Sequence, residues 1–415
     1  KPRQATAKQQ PSQGTATHSD TSPPLPSPPS PFTQEAFKLK AKRKSTYFSS
    51  RTVEHVRPMF ESTWCAVLAA CSAVMDGVVT DATPAVVTTS LRGFSNSVHI
   101  ASEFGMSTER DAFVTMLAKY TYLESMRAMS WRNIESFTTL VHIALTDGNG
   151  LGHSWAQILK CLSEFQRLHM IGTGAKTDAQ LFFPDNPTAP TPSKPIVASS
   201  SKALSSSTST RISVIIQPTR PRQSKESHSK SDAHLVDEQN SVSLVDKVDV
   251  VAIDRIFSSS ATLGPEAIVH FVSTLCAVSR EELSSPTDPQ IYSLQKLVEI
   301  AYYNMSRVRM VWSRIWEVLG DFFTEVGQHP NPSIAMYAVD SLRQLSTKFL
   351  EKGELLKFSF QQDFLKPFVD LMGVATSLES KELILGCLDH MVQSRAKSIR
   401  SGWRPMFAVF GLAAA

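Results

Sequence analysis

VRMVWSRIWEVLGDFFTEVG, residues 308–327, is the stretch of sequence that decides the fold class. Its large apolar residues recur every three or four positions, at Val308, Val311, Trp312, Ile315, Leu319, Phe322 and Val326. This spacing places them on one side of an α-helix, which therefore buries that side. Gly327 follows the last apolar residue and ends the helix.

The same spacing continues outward from this helix in both directions. Toward the N-terminus we predict helices beginning near Pro58, Pro84, Ser107, Ser130 and Trp155. Apolar stripes of similar length recur from Val245 onward, and alternating strand patterns are missing. The sequence thus predicts an all-α protein of antiparallel helix pairs stacked as an armadillo- or HEAT-like α-solenoid. A globular helical bundle is the alternative, because no repeat motif is visible.

Two segments are predicted to be disordered. Residues 1–31 are rich in Pro, Ser and Thr, and residues 184–241 are mostly Ser, Thr and Pro with some basic residues. Such segments bury too little apolar surface to offset the entropy of ordering them. We therefore predict a tail at 1–31, a linker at 184–241, and a helical-repeat domain in two parts, 32–183 and 242–412.

Composition excludes several classes of protein. The net charge of +4 is too small to indicate nucleic acid as a partner. The five cysteines form no CxxC pair and lie in apolar helical stretches, as reduced core thiols of a cytosolic protein do. We expect neither a signal peptide nor a membrane span, since no run of 18 apolar residues occurs.

No catalytic, cofactor or metal site is predicted. Gly172–Thr177 resembles the end of a phosphate-binding loop, but Ala175 stands where that loop needs glycine and no strand precedes it. Gly152–Ala156 is one residue short of the nucleophile elbow of hydrolases, so we interpret Ser154 as a helix cap. A hydrolase using Ser154 is the remote alternative. The histidines show no metal-binding spacing.

The strongest local charge precedes the first predicted helix. If the basic run is helical, its lysines flank a side containing Phe37 and Phe48, as in an interfacial helix on anionic lipid. The alternative is a solvated connector. The predicted membrane-binding residues are Lys38, Lys40, Lys42, Arg43 and Lys44.

Several longer segments carry a family resemblance. They include NMSRVRMVWSRIWEVL at 304–319, IAMYAVDSLRQLSTKFLE at 334–351 and SGWRPMFAVF at 401–410, with VEHVRPMF at 53–60 and DRIF at 254–257. Together they resemble the large brefeldin-inhibited Golgi guanine nucleotide exchange factors for Arf GTPases, the Sec-seven family. The similar part is the first homology region downstream of their catalytic domain, and it covers residues 45–183 and 243–412.

The resemblance implies a regulatory region and no exchange activity, because the family's catalytic glutamate loop does not occur here. It implies a cytoplasmic protein, peripheral on trans-Golgi membranes. The implied partners are GTP-bound Arf, an anionic membrane surface, other domains of the parent protein and possibly a second copy. An internal scaffold is the alternative. Polar residues on the matching helices could bind a partner or form contacts within the solenoid: Arg307, Arg309, Arg314, Arg343 and Gln344.

Overall fold

The structure is a computed structural model that describes residues 52–77, 83–124, 129–173, 247–285, 289–354 and 359–414. The predicted tail at 1–31, the basic residues between Lys38 and Lys44 and the linker at 184–241 lie outside these residues. Contacts divide the chain into two units, Lys1–Val56 and Arg57–Ala415. The packing described below lies within the second unit.

The described residues form thirteen α-helices and no β-strand, which confirms the all-α prediction. Short 3-10 turns at Gly152–Ser154, Ser259–Thr262 and Ala396–Ser398 precede or follow some of them. The helices are α1 Val53–Met75, α2 Pro84–Glu103, α3 Ser107–Lys119, α4 Trp131–Thr146, α5 Trp155–Thr173, α6 Val250–Ser258, α7 Pro265–Leu283, α8 Tyr292–Asn304, α9 Arg309–Val326, α10 Pro332–Leu350, α11 Phe360–Val374, α12 Leu378–Arg395 and α13 Trp403–Ala414.

From α2 onward the helices form two layers that alternate along the chain. In one layer α3, α5, α7, α9, α11 and α13 contact each other in that order. In the other layer α2, α4, α6, α8, α10 and α12 do the same. Each helix therefore contacts only near neighbours in this order, which is the pattern of an α-solenoid and not of a globular bundle. Helix α5 contacts α7 and helix α4 contacts α6, so each layer is continuous between the helices before residue 173 and those after residue 247. The two predicted parts of the domain therefore form one stack.

Side-chain contacts reveal the repeat period that the sequence hides. Hydrogen bonds and ion pairs join residues 42–48 positions apart along the whole stack, the length of a HEAT or armadillo repeat. They are His99–Asp147, Arg110–Ser154, Lys296–Asp254, Arg314–Glu266, Arg280–Glu325, Trp316–Asp363, Lys352–Met305 and Ser401–Glu354. Each repeat is thus tied to the next by polar side chains as well as by its core.

Local chemistry fixes several helix starts. The backbone amide of Ser130 donates to the Asn133 side chain at 2.6 Å, which forms a capping box before α4. The Asn331 side chain accepts from the amide of Ser333 at 2.9 Å before α10. Helix α3 begins at Ser107 as predicted, but the preceding Met106 occupies its N-cap position and offers no side-chain hydrogen bond there.

The cysteine prediction is only partly right. All five thiols are unpaired; Cys71, Cys276 and Cys387 are buried, but Cys65 is exposed. Burial raises the pKa of the Cys276 thiol to about 12 and that of Cys387 to about 11, so both stay protonated. Cys65 is exposed because α1 buries only one side of its length.

Helix α1 bears on the expectation that nothing spans a membrane. By length and composition alone it is apolar enough to cross one, because its alanines raise the mean hydropathy although no uninterrupted run of 18 apolar residues occurs. Phe60, Cys71 and Met75 are nevertheless buried among the helices of the second unit, and the Phe60 ring stacks on Phe113 at 6.2 Å.

Two glycines should respond to alanine with opposite signs. A Cβ at Gly320, inside α9, would meet Pro367 Cγ and Trp316 Nε1 at 3.5 Å, which are ordinary contacts. We expect Gly320→Ala to raise the free energy of unfolding by about 0.5–1 kcal/mol, since alanine loses less backbone entropy in a helix.

A Cβ at Gly150 would lie 2.5 Å from Ser102 Cβ. We expect Gly150→Ala to lower the free energy of unfolding by about 1–3 kcal/mol through overpacking. Urea denaturation followed by circular dichroism measures both, and effects of equal sign would contradict the packing described.

Candidate docking groove

A groove of about 640 Å³ runs between α9 and α11. Its floor is made of Trp312, Trp316 and Gly320 from α9 and of Phe364 and Pro367 from α11. Each set follows helical spacing, so each helix presents one side to the groove over successive turns. Concave and largely apolar surfaces of this size are where proteins most often bind ligands or peptide segments.

The aromatic floor is a tight stack. The rings of Trp316 and Phe364 lie 3.7 Å apart between centroids with 16° between their planes, and Phe349 stacks on Phe364 at 4.0 Å and 4°. The indole N–H of Trp316 donates to the Asp363 carbonyl at 3.4 Å. The indole nitrogen of Trp312 is buried without a hydrogen-bond partner in the described part of the chain. The floor is therefore rigid and pre-formed, with one unsatisfied donor.

The sides of the groove are charged. Four exposed carboxylates follow the two helices, and none of them forms an ion pair or a side-chain hydrogen bond within the described ranges: Glu317, Asp321, Asp363 and Asp370. Lys366 is the one cation along this length among the lining residues described. Arg307, Arg309 and Lys352 lie at the other end, where α9 begins. The groove is thus acidic along most of its length and basic at one end.

Two predicted partner-binding residues, Arg307 and Arg309, line the basic end of the groove. Arg307 donates to the carbonyls of Ser260 at 2.8 Å and Leu263 at 2.6 Å, and desolvation lowers its pKa. It closes the end of a 3-10 turn and so acts within the solenoid. The Arg309 guanidinium lies 4.3 Å above the Phe360 ring centroid in a cation–π contact.

The other three predicted residues lie away from the groove. Arg314 forms two hydrogen bonds with Glu266, at 2.5 and 2.7 Å, although both side chains are largely exposed. Arg343 and Gln344 share Asp340, at 2.8 and 2.7 Å. The structure therefore does not gather the five residues into one surface, and these three form contacts within the chain.

Comparison with known proteins shows which region of larger proteins this chain is similar to. The sequence model of the family described as Mon2/Sec7/BIG1-like, HDS matches residues 348–415. The chain is 41% identical over 387 residues to brefeldin A-inhibited guanine nucleotide-exchange protein 3 of Arabidopsis thaliana, covering 92% of this chain and 22% of that protein. It is 42% identical over 374 residues to brefeldin A-inhibited guanine nucleotide-exchange protein 1 of Homo sapiens, covering 89% and 19%. The chain is thus similar over about nine-tenths of its length to one region of these exchange proteins. It spans about a fifth of the length of these relatives.

The HDS match covers one wall of the groove. It begins in the last turn of α10, at Lys348, and includes α11, α12 and α13. Phe349, Phe360 and Phe364 of the aromatic stack and the acids Asp363 and Asp370 fall inside it. The opposite wall, α9, precedes the match. The groove thus lies where the HDS part meets the rest of the stack.

A buried polar cluster fixes the HDS part internally. The Glu354 carboxylate, 5% exposed, accepts from the amide and hydroxyl of Ser401 at 2.9 and 2.6 Å and from the amide of Gln361 at 3.2 Å. The fully buried Gln361 side chain accepts from the amide of Arg400 at 2.8 Å and donates to the carbonyl of Ser398 at 3.0 Å. The turn before α13 is therefore held against the start of α11.

The acidic walls of the groove were not predicted from the sequence. The four carboxylates are divided between two helices that lie far apart in sequence, so they form no pattern within one segment. A usable signal was present: Glu317 and Asp321 are four residues apart, each adjacent to a position of the aromatic or glycine floor. These two residues can be recognised as part of an acidic groove only once α11 is known to pack beside α9.

Ser154 is held in a structural network. It is 3% exposed, donates its hydroxyl proton to Asp111 and accepts from Arg110 Nε at 3.2 Å. Arg110 also donates to the carbonyl of Gly150 at 2.7 Å. The predicted role as a helix cap is wrong, because the hydroxyl bonds to these side chains and not to a helix amide. The described residues contain no cluster of His, Cys, Asp and Glu that could hold a metal ion.

Proposed function

We propose that this chain is a non-catalytic regulatory region of an Arf guanine nucleotide-exchange factor. It helps to place the parent enzyme on the cytoplasmic face of trans-Golgi membranes and responds to GTP-bound Arf. The observation that carries this proposal is the similarity to exchange proteins over about nine-tenths of the chain, which corresponds to about a fifth of those proteins and includes the HDS match at residues 348–415. In this proposal the region modulates the exchange domain, which lies elsewhere in the parent protein.

The architecture supports action through surfaces. A stack of helix pairs presents extended faces contributed by successive repeats, and such faces bind other macromolecules. The anionic membrane, GTP-bound Arf and other domains of the parent protein are the partners that fit this role. The basic run at Lys38–Lys44 would meet the membrane.

Liposome flotation tests the proposal. The 415-residue chain should float with anionic vesicles, and more of it should float when Arf-GTP is anchored to them. Changing Lys38, Lys40, Lys42, Arg43 and Lys44 to Ala should weaken flotation and reduce its salt dependence, at about 1 kcal/mol per basic residue near an anionic surface. A control that changes the four lysines to Arg keeps the charge and should float like the original. If the floated fraction depended on neither the lipid charge nor Arf-GTP, the proposal would be wrong.

One observation favours scaffolding as a second function. The last helix exposes Phe407 (65%) and Phe410 (37%), and Phe407 stacks on Trp403 at 5.7 Å. Exposed aromatic side chains in a row mark a surface for another protein element. Light scattering of the chain and capture of a separate exchange domain distinguish self-association from packing on that domain. A monomer that captures no exchange domain would remove this candidate.

A further inference from the structure

We propose that one edge of the helical stack, made by three successive turns near its C-terminal end, docks on an anionic membrane surface. This basic edge consists of residues 302–310, 348–354, 359–361 and 395–404, which contain the turns before α9, α11 and α13. It adds a contact within the solenoid to the basic run that precedes α1, and in this respect it rests on the membrane role proposed above. It does not require Arf-GTP.

Contacts between repeats place the three turns side by side. The Lys352 side chain, just after α10, donates to the Met305 carbonyl in the turn before α9. Arg395, at the end of α12, pairs with Glu351 at the end of α10. Neighbouring helices of a layer lie about 8–10 Å apart, so the three turns form a ridge about 20 Å long.

The basic edge has a large excess of positive charge. It carries eight Lys and Arg residues against two Glu residues. One of the two, Glu354, is buried and accepts from backbone amides. The other, Glu351, is shared by Lys348 and Arg395. These two carboxylates therefore leave most of the positive charge uncompensated.

Three cations of this edge are available to an external anion. Lys397, Arg400 and Arg404 are exposed, and their side chains form no ion pair or hydrogen bond with the residues that the structure describes. Desolvation and the neighbouring Lys348 cation lower the pKa of Lys352, so cations on this edge lie close enough to repel each other. A negatively charged surface would reduce this repulsion.

The opposite edge of the same repeats has the opposite charge. Its described residues, within 280–290, 325–332 and 370–382, include six Asp and Glu residues and two cations, Arg280 and Lys381. Near an anionic surface this separation of charge orients the stack, with the basic edge toward the surface and the acidic edge away from it.

The basic edge also exposes apolar side chains that suit a membrane interface. Val308 and Met310, where α9 begins, are 75% and 80% exposed. The exposed Tyr302 ring lies beside them in the chain, with its centroid 6.0 Å from the Lys348 ammonium. Apolar side chains flanked by Lys and Arg enter the headgroup region while the cations contact lipid phosphates. The combination favours lipid over an acidic protein, because a membrane presents anionic headgroups directly above apolar chains.

Flotation of the 415-residue chain without Arf tests the charge of the edge. The vesicles are phosphatidylcholine with or without phosphatidylserine. Lys397→Glu with Arg404→Glu should lower partitioning onto the anionic vesicles about tenfold or more, because both changes reverse a charge at the lipid surface. The control Arg92→Glu with Lys119→Glu makes the same charge change at exposed cations of α2 and α3, and it should bind within about twofold of the original chain.

A second pair of variants tests the apolar contact without changing a charge. Val308→Ser with Met310→Ser should lower partitioning about threefold or more, because less apolar surface enters the interface. The control is Met336→Ser with Leu378→Ser, at side chains that are also exposed but lie at the starts of α10 and α12. Circular dichroism should show that all these variants remain folded.

The outcomes separate this edge from the basic run at Lys38–Lys44. If the folded edge variants float like the original chain, the edge proposal is overturned, whatever the Ala changes in the basic run do. If the edge variants lose flotation and those Ala changes have no effect, the edge proposal holds and the basic run is a connector. Edge-dependent binding of soluble polyglutamate, equal to the binding to anionic vesicles, would assign the edge to an acidic protein and overturn the membrane proposal. Loss of the Arf-GTP effect alone leaves the edge result unchanged.

Discussion

Replacing Phe364 by alanine is expected to lower the free energy of unfolding by about 3–5 kcal/mol, the usual cost of removing a large buried aromatic side chain. Phe364 is 2% exposed and lies between Trp316 and Phe349, with ring centroids 3.7 and 4.0 Å away. Its loss leaves a cavity at the junction of α9, α10 and α11, and its three aromatic stacks, on Trp312, Trp316 and Phe349, are lost at once. Urea denaturation of the full chain, followed by tryptophan fluorescence, measures the change.

The matched control is Phe407→Ala. This phenylalanine is 65% exposed on the last helix, so its removal should change the free energy of unfolding by less than about 1 kcal/mol. The same measurement should show the local nature of the first effect, since Trp312 and Trp316 report directly on the altered stack. Similar losses for Phe364→Ala and Phe407→Ala would contradict the core described between α9 and α11.

The second large effect is expected at Gln361. Gln361→Ala removes the acceptor of the Arg400 and Gly402 amides and the donor to the Ser398 carbonyl. Each buried polar group left without a partner costs about 1–3 kcal/mol, and partial hydration should hold the total near about 3 kcal/mol. Hydrogen exchange should also show faster exchange of the Arg400 and Gly402 amides than in the original chain.

Gln344→Ala is the control for this prediction. The Gln344 side chain is exposed and, among the residues that the structure describes, bonds only to Asp340, at 2.7 Å. We expect its removal to change the free energy of unfolding by less than about 0.5 kcal/mol. If Gln361→Ala were as mild as Gln344→Ala, the buried cluster around Glu354 would have no part in fixing the last helix.

The spacing of apolar residues was enough to predict most of the fold. In α9 every residue of the predicted stripe after Val308 is buried or half-buried, and Gly327 follows the helix as expected. Val308 itself is 75% exposed, because it precedes the helix and the periodicity does not extend to it. Helical spacing determines which side of a helix is buried, since that depends on the residues within one element.

Contacts between elements could not be predicted in the same way. Whether Arg314 binds a partner or pairs with Glu266 depends on a residue 48 positions earlier, in another helix. The acidic groove likewise requires α9 and α11 to be neighbours, with α10 in the other layer. The family resemblance supplied a general role but did not identify this surface, because its motifs were read along the chain and not across the layers.

The continuity of the two layers across residues 174–246 has a consequence for processing of the chain. Helices α4 and α5 contact α6 and α7 directly, so the halves are joined by an interface as well as by the backbone. A protease that cuts between residues 184 and 241 should therefore yield two fragments that co-elute in size-exclusion chromatography and separate only in denaturant. The two halves should also associate and co-elute when they are expressed as separate polypeptides.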